Sequence, residues 1–278
     1  MTQAAAAAEP RTLAPPGRRL APVVANEAIG AYRLISAHDR DGPSDPRPGQ
    51  FYMLAAAERW GGGVGERPYL PRAFSYARAR PAEPGVALEF LLEAVGPGTE
   101  RLGALESGED LALVGPLGVG FRGPEEGTRP LLVGGGVGTA PLVCLSDELD
   151  APGVLLGFRS AAHAEAASLF RDAALATDDG SVGRRALVTE LLAESLDDDP
   201  AATVYACGPP PMLEAVRGMC GERRVPAQLA LESGMACGFG ACFGCVVPTR
   251  DGYVRLCVDG PVLDADRLET ALFPGAGH

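Results

Sequence analysis

Four of the seven cysteines stand in one short stretch: Cys237, Cys242, Cys245 and Cys257, spaced C-x4-C-x2-C-x11-C. No other feature limits the fold as tightly, because four thiols at set intervals imply a loop that wraps a common centre. A C-x4-C-x2-C run with a distant fourth cysteine is the spacing of plant-type [2Fe–2S] ligation. Such a loop must bend sharply and aim backbone N–H groups at sulfur, and Gly238, Gly240 and Gly244 lie between the ligands to allow it. The fourth cysteine follows Asp251–Gly252, a strong hairpin turn pair. A structural zinc site is the alternative, although zinc favours paired C-x2-C knuckles and only one such pair is present. Cys144, Cys207 and Cys220 are isolated and read as small buried hydrophobes.

The region from about Val225 that carries this motif is too small to build a large core, so a bound metal centre is expected to organise it. The whole chain has 278 residues, room for about two domains and a sizeable core, with 46% hydrophobic residues. Its net charge of −12 argues against nucleic acid or an anionic membrane surface as partner. No apolar run approaches the roughly 18–20 residues of a membrane span. The start, MTQAAAAAEPRTLAPPGRR, is rich in Ala and Pro and lacks the pattern of a signal peptide. Residues 1–19 are expected to form a flexible tail. A cytoplasmic location with reduced thiols follows as the expectation.

Residues 20–125 hold six Val/Leu/Phe-containing runs broken by Gly and Pro: VVANEAIG, YRLISAH, GQFYMLAAA, RAFSYARA, VALEFLLEAV and DLALVGPL. Short strands at this spacing predict an antiparallel barrel. Glu58 to Glu66 reads as a flexible insertion between two of them. Residues 126–224 alternate strand and helix. Strands are expected at Leu131–Val133, Val154–Phe158, Arg185–Val188 and Thr203–Ala206. Helices are expected after the Gly-rich turn, with Pro141 in the first turn, at Ala161–Ala176 and at Pro211–Met219. This alternation predicts an α/β domain with a parallel sheet. The fold class is thus α+β multidomain: an antiparallel β-barrel, an α/β nucleotide-binding-like domain, and a small C-terminal [2Fe–2S] domain over 225–278.

Two sets of residues suit phosphate. Arg72-Ala73-Phe74-Ser75 offers a guanidinium fork and a hydroxyl, and Gly96-Pro97-Gly98-Thr99 offers a turn whose N–H groups can approach an anion. Each alone also reads as a solvated edge or a plain turn. Gly134-Gly135-Gly136-Val137-Gly138-Thr139 follows a strand and opens a helix, the context of a phosphate at a helix N-terminus. The third glycine of the full dinucleotide fingerprint is Thr139 here. The next strand ends Phe158-Arg159-Ser160 with no acidic residue for a ribose. The glycines could instead serve close helix–strand packing. NAD against NADP stays open, because Arg159 suits a phosphate as well as a hydroxyl.

The order of these motifs resembles the ferredoxin–NADP reductase superfamily. PRAFS, GPGT, GPLGVGF, LLVGGGVGTAPL, LGFRS, YACGPPPML and LESGMACGFGACFGCVV together resemble the electron-transfer subunits of type B dihydroorotate dehydrogenases, from about residue 20 to 270. The resemblance implies FAD in the barrel, a [2Fe–2S] cluster on the four cysteines, and NAD as external acceptor in pyrimidine biosynthesis. It puts Arg72, Ala73, Phe74 and Ser75 on the family's Arg-Pro-x-Ser flavin motif, Leu91, Leu92 and Glu93 on the following strand, and Gly98 and Thr99 on the pyrophosphate turn. It adds Cys207, Gly208 and Pro209 to Gly134, Gly136, Gly138 and Thr139 as nucleotide contacts. Ala73 departs from the usual Pro, and Leu92-Glu93 from a Tyr/Arg-like pair. The resemblance further implies a separate catalytic flavoprotein subunit, in a heterotetramer of two of each. His38, His163 and His278 lie in unrelated contexts, so no catalytic residue for dihydroorotate oxidation is assigned to this chain. The alternatives are a reductase subunit of a hydrogenase, sulfhydrogenase or ferredoxin-linked complex on the same scaffold, or a zinc-stabilised module without enzymatic activity.

Overall fold

The structure, a computed structural model, describes residues 11–15, 17–58, 60–61 and 70–273. Most of the expected tail, and residues 59 and 62–66 of the expected insertion, lie outside these. Among the described residues no helix is long and apolar enough to cross a membrane.

The first sheet is antiparallel and has seven strands: β1 (Arg19–Ile29), β2 (Tyr32–Asp39), β3 (Phe51–Ala56), β4 (Arg72–Ser75), β5 (Arg78–Pro81), β6 (Val86–Leu92) and β7 (Asp110–Leu117). Their order is β4-β3-β7-β1-β2-β6-β5. The run RAFSYARA, expected as one strand, is therefore two, and they lie at opposite edges of the sheet. Only Tyr76 and Ala77 join them, a reach of about 10 Å at most. The edges must come together, and the sheet curls into a barrel. Tyr76 fills the interior beside Tyr52 and Phe90. A short helix, α1 (Pro97–Gly103), crosses between β6 and β7.

The second sheet contains β8 (Arg129–Gly135), β9 (Gly153–Phe158), β10 (Ala174–Thr177), β11 (Arg184–Arg185), β12 (Ala202–Cys207), β13 (Ala227–Ala230) and, after a two-stranded hairpin, a last strand at Val262–Asp264. The hairpin is β14 (Val246–Thr249) with β15 (Gly252–Arg255), so the last strand is β16. The order β11-β10-β9-β8-β12-β13-β16 is parallel throughout except for β16, which runs antiparallel to β13. The strand order reverses between β8 and β12, the switch point at which open α/β sheets bind ligands. The helices are α2 (Ala140–Glu148), α3 (Ala161–Ala164), α4 (Val188–Asp198), α5 (Pro210–Arg223) and α6 (Leu256–Asp259).

Two expectations in this half are corrected. The Ala-rich run 161–176 is helical only at α3, passes through a 3-10 turn at Glu165–Leu169, and ends in β10. Alanine propensity yields there to the parallel ladder, in which Ala174–Thr177 pair with Leu155–Phe158. Arg185–Val188 is not a strand: β11 stops at Arg185 and Val188 opens α4. The Glu190 carboxylate accepts the Leu187 N–H at 2.8 Å, which starts the helix by capping it.

β3 is buried along its whole length because it faces two cores. Tyr52, Leu54 and Ala56 point into the barrel, while Phe51 and Met53 join a cluster with Val247, Leu256 and the sheet residues Val204 and Leu229. The period-2 alternation of a strand makes this possible. In the barrel wall Arg19 and Asp39 form a buried ion pair, at 8% and 1% side-chain exposure, with Nη2 to Oδ2 at 2.7 Å. Arg19 also donates to the Gly115 carbonyl at 2.5 Å, so one guanidinium ties β1, β2 and β7. Asp39→Ala would leave that charge buried without its counterion. Urea unfolding should show a loss of about 3–5 kcal/mol; a loss below about 1 kcal/mol would show that the pair is not a structural tie.

Candidate functional site

A cleft of about 570 Å³ runs between the two sheets. The barrel contributes Phe51, Arg72, Ala73, Phe74, Ser75, Leu91 and Glu93, and the α1 turn contributes Gly96, Pro97, Gly98 and Thr99. From the second sheet come Val137, Gly138 and Pro141 after β8, and Cys207 at the end of β12. The third wall is the segment Ala230 to Met235 that leaves β13. The size and apolar lining suit a cofactor-sized ligand.

Arg72 and the α1 turn are fitted to each other. A Cβ at Gly98 would stand 2.8 Å from the Arg72 Nε, so only glycine lets the guanidinium lie there. Thr99 Oγ1 accepts the N–H groups of Val95 and Gly96 at 2.9 and 3.1 Å, which fixes the turn beside that charge. The Arg72 Nη1 donates to the Leu70 carbonyl at 2.7 Å. A fixed cation next to a turn with further N–H groups is an anion site.

Six of the residues expected at a cofactor sit behind this lining. Leu92 points into the barrel core, as strand alternation demands when Leu91 and Glu93 face the cleft. Gly134 packs on Leu156 and Leu142. Thr139 is buried and donates to the Gly136 carbonyl at 3.0 Å, which holds the Gly-rich turn. Gly136 takes a left-handed φ of 56° in it. Gly208 and Pro209 press on that turn: a Cβ at Gly138 would stand 2.7 Å from the Gly208 backbone, and one at Gly135 would stand 2.9 Å from Pro209.

The segment Ala230–Met235 escaped a motif-based reading. The available signal was positional, because ligands lie outside the carboxyl ends of parallel strands and this segment leaves one. Glu232 lines the cleft and is exposed to solvent there; the protein packed around it raises its carboxyl above the usual range. Burial, and then the charge of Glu232, push the Cys207 thiol well up, so it stays a neutral thiol. Cys144 and Cys220 are buried in the cores as expected; Cys207 is buried but opens on the cleft.

The four-cysteine loop continues directly from the third wall. Cys245 and Cys257 are buried with their sulfurs 3.2 Å apart, and the Cys257 N–H points at the Cys245 sulfur at 3.5 Å. Cys237 is half-buried and Cys242 exposed; they form a second pair through their thiols. Burial pushes Cys237 up, but the N–H groups of Cys242, Phe239 and Ala241 and the Cys242 thiol outweigh it and hold the thiol down at about 6. Burial and the neighbouring Cys245 push Cys257 up to about 12. Gly238 and Gly240 have the expected left-handed φ, at 81° and 87°; the third such position is Phe243, at 58°, rather than Gly244. Arg255 braces the loop, donating to the Gly240 carbonyl at 3.0 Å and lying over the Phe243 ring.

Among the described residues no three His, Cys, Asp or Glu side chains converge on the single point that one metal ion needs. Two pairs of cysteine sulfurs, with N–H groups directed at them, fit a two-iron core in which each iron takes two thiolates beside shared sulfides. They fit a single tetrahedral zinc less well.

A barrel and a sheet of order β11-β10-β9-β8-β12-β13-β16 with a cleft between them define the fold of the ferredoxin reductase class. The fold is similar to that of an NADH-dependent reduced ferredoxin–NADP oxidoreductase, with a TM-score of 0.74 and 24% identity over 92% of this chain and 91% of that one. It is similar too to the ferredoxin reductase of carbazole 1,9a-dioxygenase, with a TM-score of 0.63 over 75% of this chain and 66% of that one. Residues 232–269 match the iron–sulfur cluster binding domain of dihydroorotate dehydrogenase B. The "Dihydroorotate dehydrogenase B (NAD(+)), electron transfer subunit" of Caldanaerobacter subterraneus subsp. tengcongensis is 36% identical over 230 residues, 80% of this chain and 87% of the relative. That of Bacillus caldolyticus is 38% identical over 235 residues, 80% of this chain and 86% of the relative. The chain belongs to the family of dihydroorotate dehydrogenase B electron transfer subunits.

The contact between the Gly-rich turn and β12 gives a direct test. Gly138→Ala should force Gly208 away, cost about 1–3 kcal/mol in urea unfolding, and weaken binding of NADH measured by titration. Unchanged stability and affinity would mean that the turn has slack the geometry does not show.

Proposed function

We propose that this chain is the electron-transfer subunit of a dihydroorotate dehydrogenase B, relaying electrons from a separate dihydroorotate-oxidising subunit to NAD in pyrimidine biosynthesis. The observation that carries the reading is the continuity of cleft and cysteine loop: Met235 lines the cleft two residues before Cys237. Ligands for a metal cluster and a cofactor-sized cleft thus share one wall, in a chain from the family whose members bear that name.

Arg72, Gly98 and Thr99 would hold the phosphates of FAD, and Ala73, Phe74, Ser75 and Leu91 the rest of the molecule; the Glu93 carboxylate, expected at the flavin as well, is taken up by Arg159 instead. Cys237, Cys242, Cys245 and Cys257 would hold a [2Fe–2S] cluster. Gly134, Gly136, Gly138, Thr139, Cys207, Gly208 and Pro209 form the side on which NAD would enter. When bound, the cluster carries single electrons and the flavin exchanges them for the hydride of a nicotinamide. The chain's own work is to bind and align: the barrel fixes one ligand edge, the Gly-rich turn admits another, and the loop directs N–H groups at sulfur.

The working units in this reading are residues 20–125 for flavin, 126–224 for nucleotide and 225–278 for the cluster; of the expected tail at 1–19, Arg19 instead opens β1 and Arg11 donates to the Gly118 carbonyl, so these residues belong to the folded body. The partner would be a catalytic flavoprotein subunit, two of each in a heterotetramer, in the cytoplasm. Its docking surface would be the cluster end, where Phe239 and Phe243, each 63% exposed, flank the exposed Cys242 in the chain. Exposed aromatics gathered in one place mark an interaction surface.

Anaerobically purified chain should contain about two irons and about two acid-labile sulfides, with about one FAD per chain. Co-expressed with the dihydroorotate-oxidising subunit, it should confer dihydroorotate-dependent NAD reduction. Cys245→Ser should strip the iron and leave FAD in place, whereas Arg72→Ala should lower FAD occupancy and leave the iron. A colourless chain holding one zinc would sink the proposal, as would full NAD-linked activity of the partner alone.

A further inference from the structure

Arg159 follows the last residue of β9, the second strand of the nucleotide unit, where the adenosine ribose of a bound dinucleotide is read. In that place a carboxylate takes a free 2′-hydroxyl, whereas an arginine accommodates a 2′-phosphate. β9 and its loop supply the arginine and no acid. The structure brings the acid from the other sheet: Glu93, the residue after β6, is hydrogen-bonded and ion-paired with Arg159 Nη2 across the boundary between the two sheets.

The pair is held in a small network. Arg159 Nη2 donates to His163 Nε2 at 2.8 Å, so His163 carries its proton on Nδ1 and donates to Ser160 Oγ at 2.9 Å. Glu93 lies 3.4 Å from the same imidazole. Tyr32 packs edge-on against that ring, 5.6 Å between centroids. The Tyr32 hydroxyl is buried and has no hydrogen-bond partner among the described residues. It lies 3.9 Å from where a Cβ at Gly136 would stand, so it is turned toward the Gly-rich loop. A buried orphan hydroxyl beside a phosphate-type turn calls for a polar group that the free chain lacks.

We infer that Glu93 is the specificity-determining residue of the nucleotide site, selecting dinucleotides with a free 2′-hydroxyl over 2′-phosphorylated ones by neutralising Arg159. This rests on the reading of the Gly-rich turn and β9 as the entry side for NAD. A 2′-phosphate arriving at Arg159 meets a cation already paired and a carboxylate next to it, so it gains no net attraction and meets like charge. A 2′-hydroxyl can donate to Glu93 without disturbing the pair.

Calorimetric titration of the flavin-loaded chain with 5′-AMP and with adenosine 2′,5′-bisphosphate tests this without relying on turnover. The wild-type chain should hold 5′-AMP about tenfold more tightly than the bisphosphate, and Glu93→Gln should reverse the order by freeing Arg159. Adding Arg159→Gln to Glu93→Gln should abolish the gain. Arg159→Gln alone should weaken the bisphosphate further, because Glu93 is then unneutralised. In dye reduction, the ratio of kcat/KM for NADPH over NADH should rise in Glu93→Gln in the same sense. An unchanged ratio of affinities in Glu93→Gln, a wild-type preference for the bisphosphate, or tighter bisphosphate binding in Arg159→Gln overturns the assignment. Failure of both fragments to bind wild-type chain also overturns it, while iron, sulfide and flavin contents judge the electron-transfer reading separately.

Discussion

The pairing of β13 with β16 is the constraint on which the rest of the molecule depends. These two strands are the entry and exit of the cysteine loop, and their antiparallel ladder runs Gln228 to Asp264, Leu229 to Leu263 and Ala230 to Val262. The Leu231 N–H extends it to the Pro261 carbonyl at 2.9 Å. On the barrel side, the Val119 N–H donates to the Gly260 carbonyl and Val119 forms a bridge with Pro261. Gly118 is left-handed, at φ 74°, and a Cβ there would stand 2.4 Å from the Gly260 oxygen. The root of the loop is therefore gripped by both sheets at once. Because the first residues beyond β13 form the third wall of the cleft, the same grip sets where cleft and cysteines stand relative to one another.

The body of the loop is built differently from its root. Gly238 presses on Met53, where a Cβ would stand 2.4 Å from its Cγ, and Cys245 and Cys257 are buried in the core that Met53 shares. Between these anchors the chain exposes Phe239 and Phe243 and spends its backbone N–H groups on sulfur. So little apolar burial cannot offset the entropy of ordering a glycine-rich segment. Ligation has to contribute to the order of this part, as it does in small metal-organised domains. The Arg11 guanidinium, which donates to the Gly118 and Val258 carbonyls, adds a second tie beside Cys257 from the start of the described chain.

Much of this was legible in the sequence, and the reasons differ by element. The cysteine spacing carries its own geometry, since sharp turns between ligands need glycine, and Gly238 and Gly240 have left-handed φ. Barrel and parallel sheet followed from the change of texture near residue 126. The misread elements were those in which tertiary demand overrode local preference. The alanine run at 161–176 had to supply a strand between β9 and β11, and RAFSYARA had to cross from one edge of the barrel sheet to the other. Leu92 was grouped with Leu91 and Glu93 by motif, yet alternation along β6 sends it into the barrel core. The partnership of Glu93 with Arg159 lies beyond motif reading, because it joins residues from two sheets whose relative placement no local pattern encodes.

The charge arrangement of the cleft follows from the same placement. Around Gly98 the lining offers a fixed guanidinium beside a turn. Around Gly138 it offers the buried, neutral thiol of Cys207 and the solvent-exposed acid Glu232, with the aromatic Phe51 and apolar Leu231 also on the lining. An elongated ligand with an anionic end and a flat, weakly polar end has one favourable orientation in such a field, phosphate toward Arg72 and ring toward Cys207. Reversing it would set a phosphate against Glu232 and leave the Arg72 guanidinium facing an apolar ring. The ring end then lies against the segment that runs on to Cys237, so the polarity of the cleft, and not only its shape, directs a redox ring toward the cysteine loop.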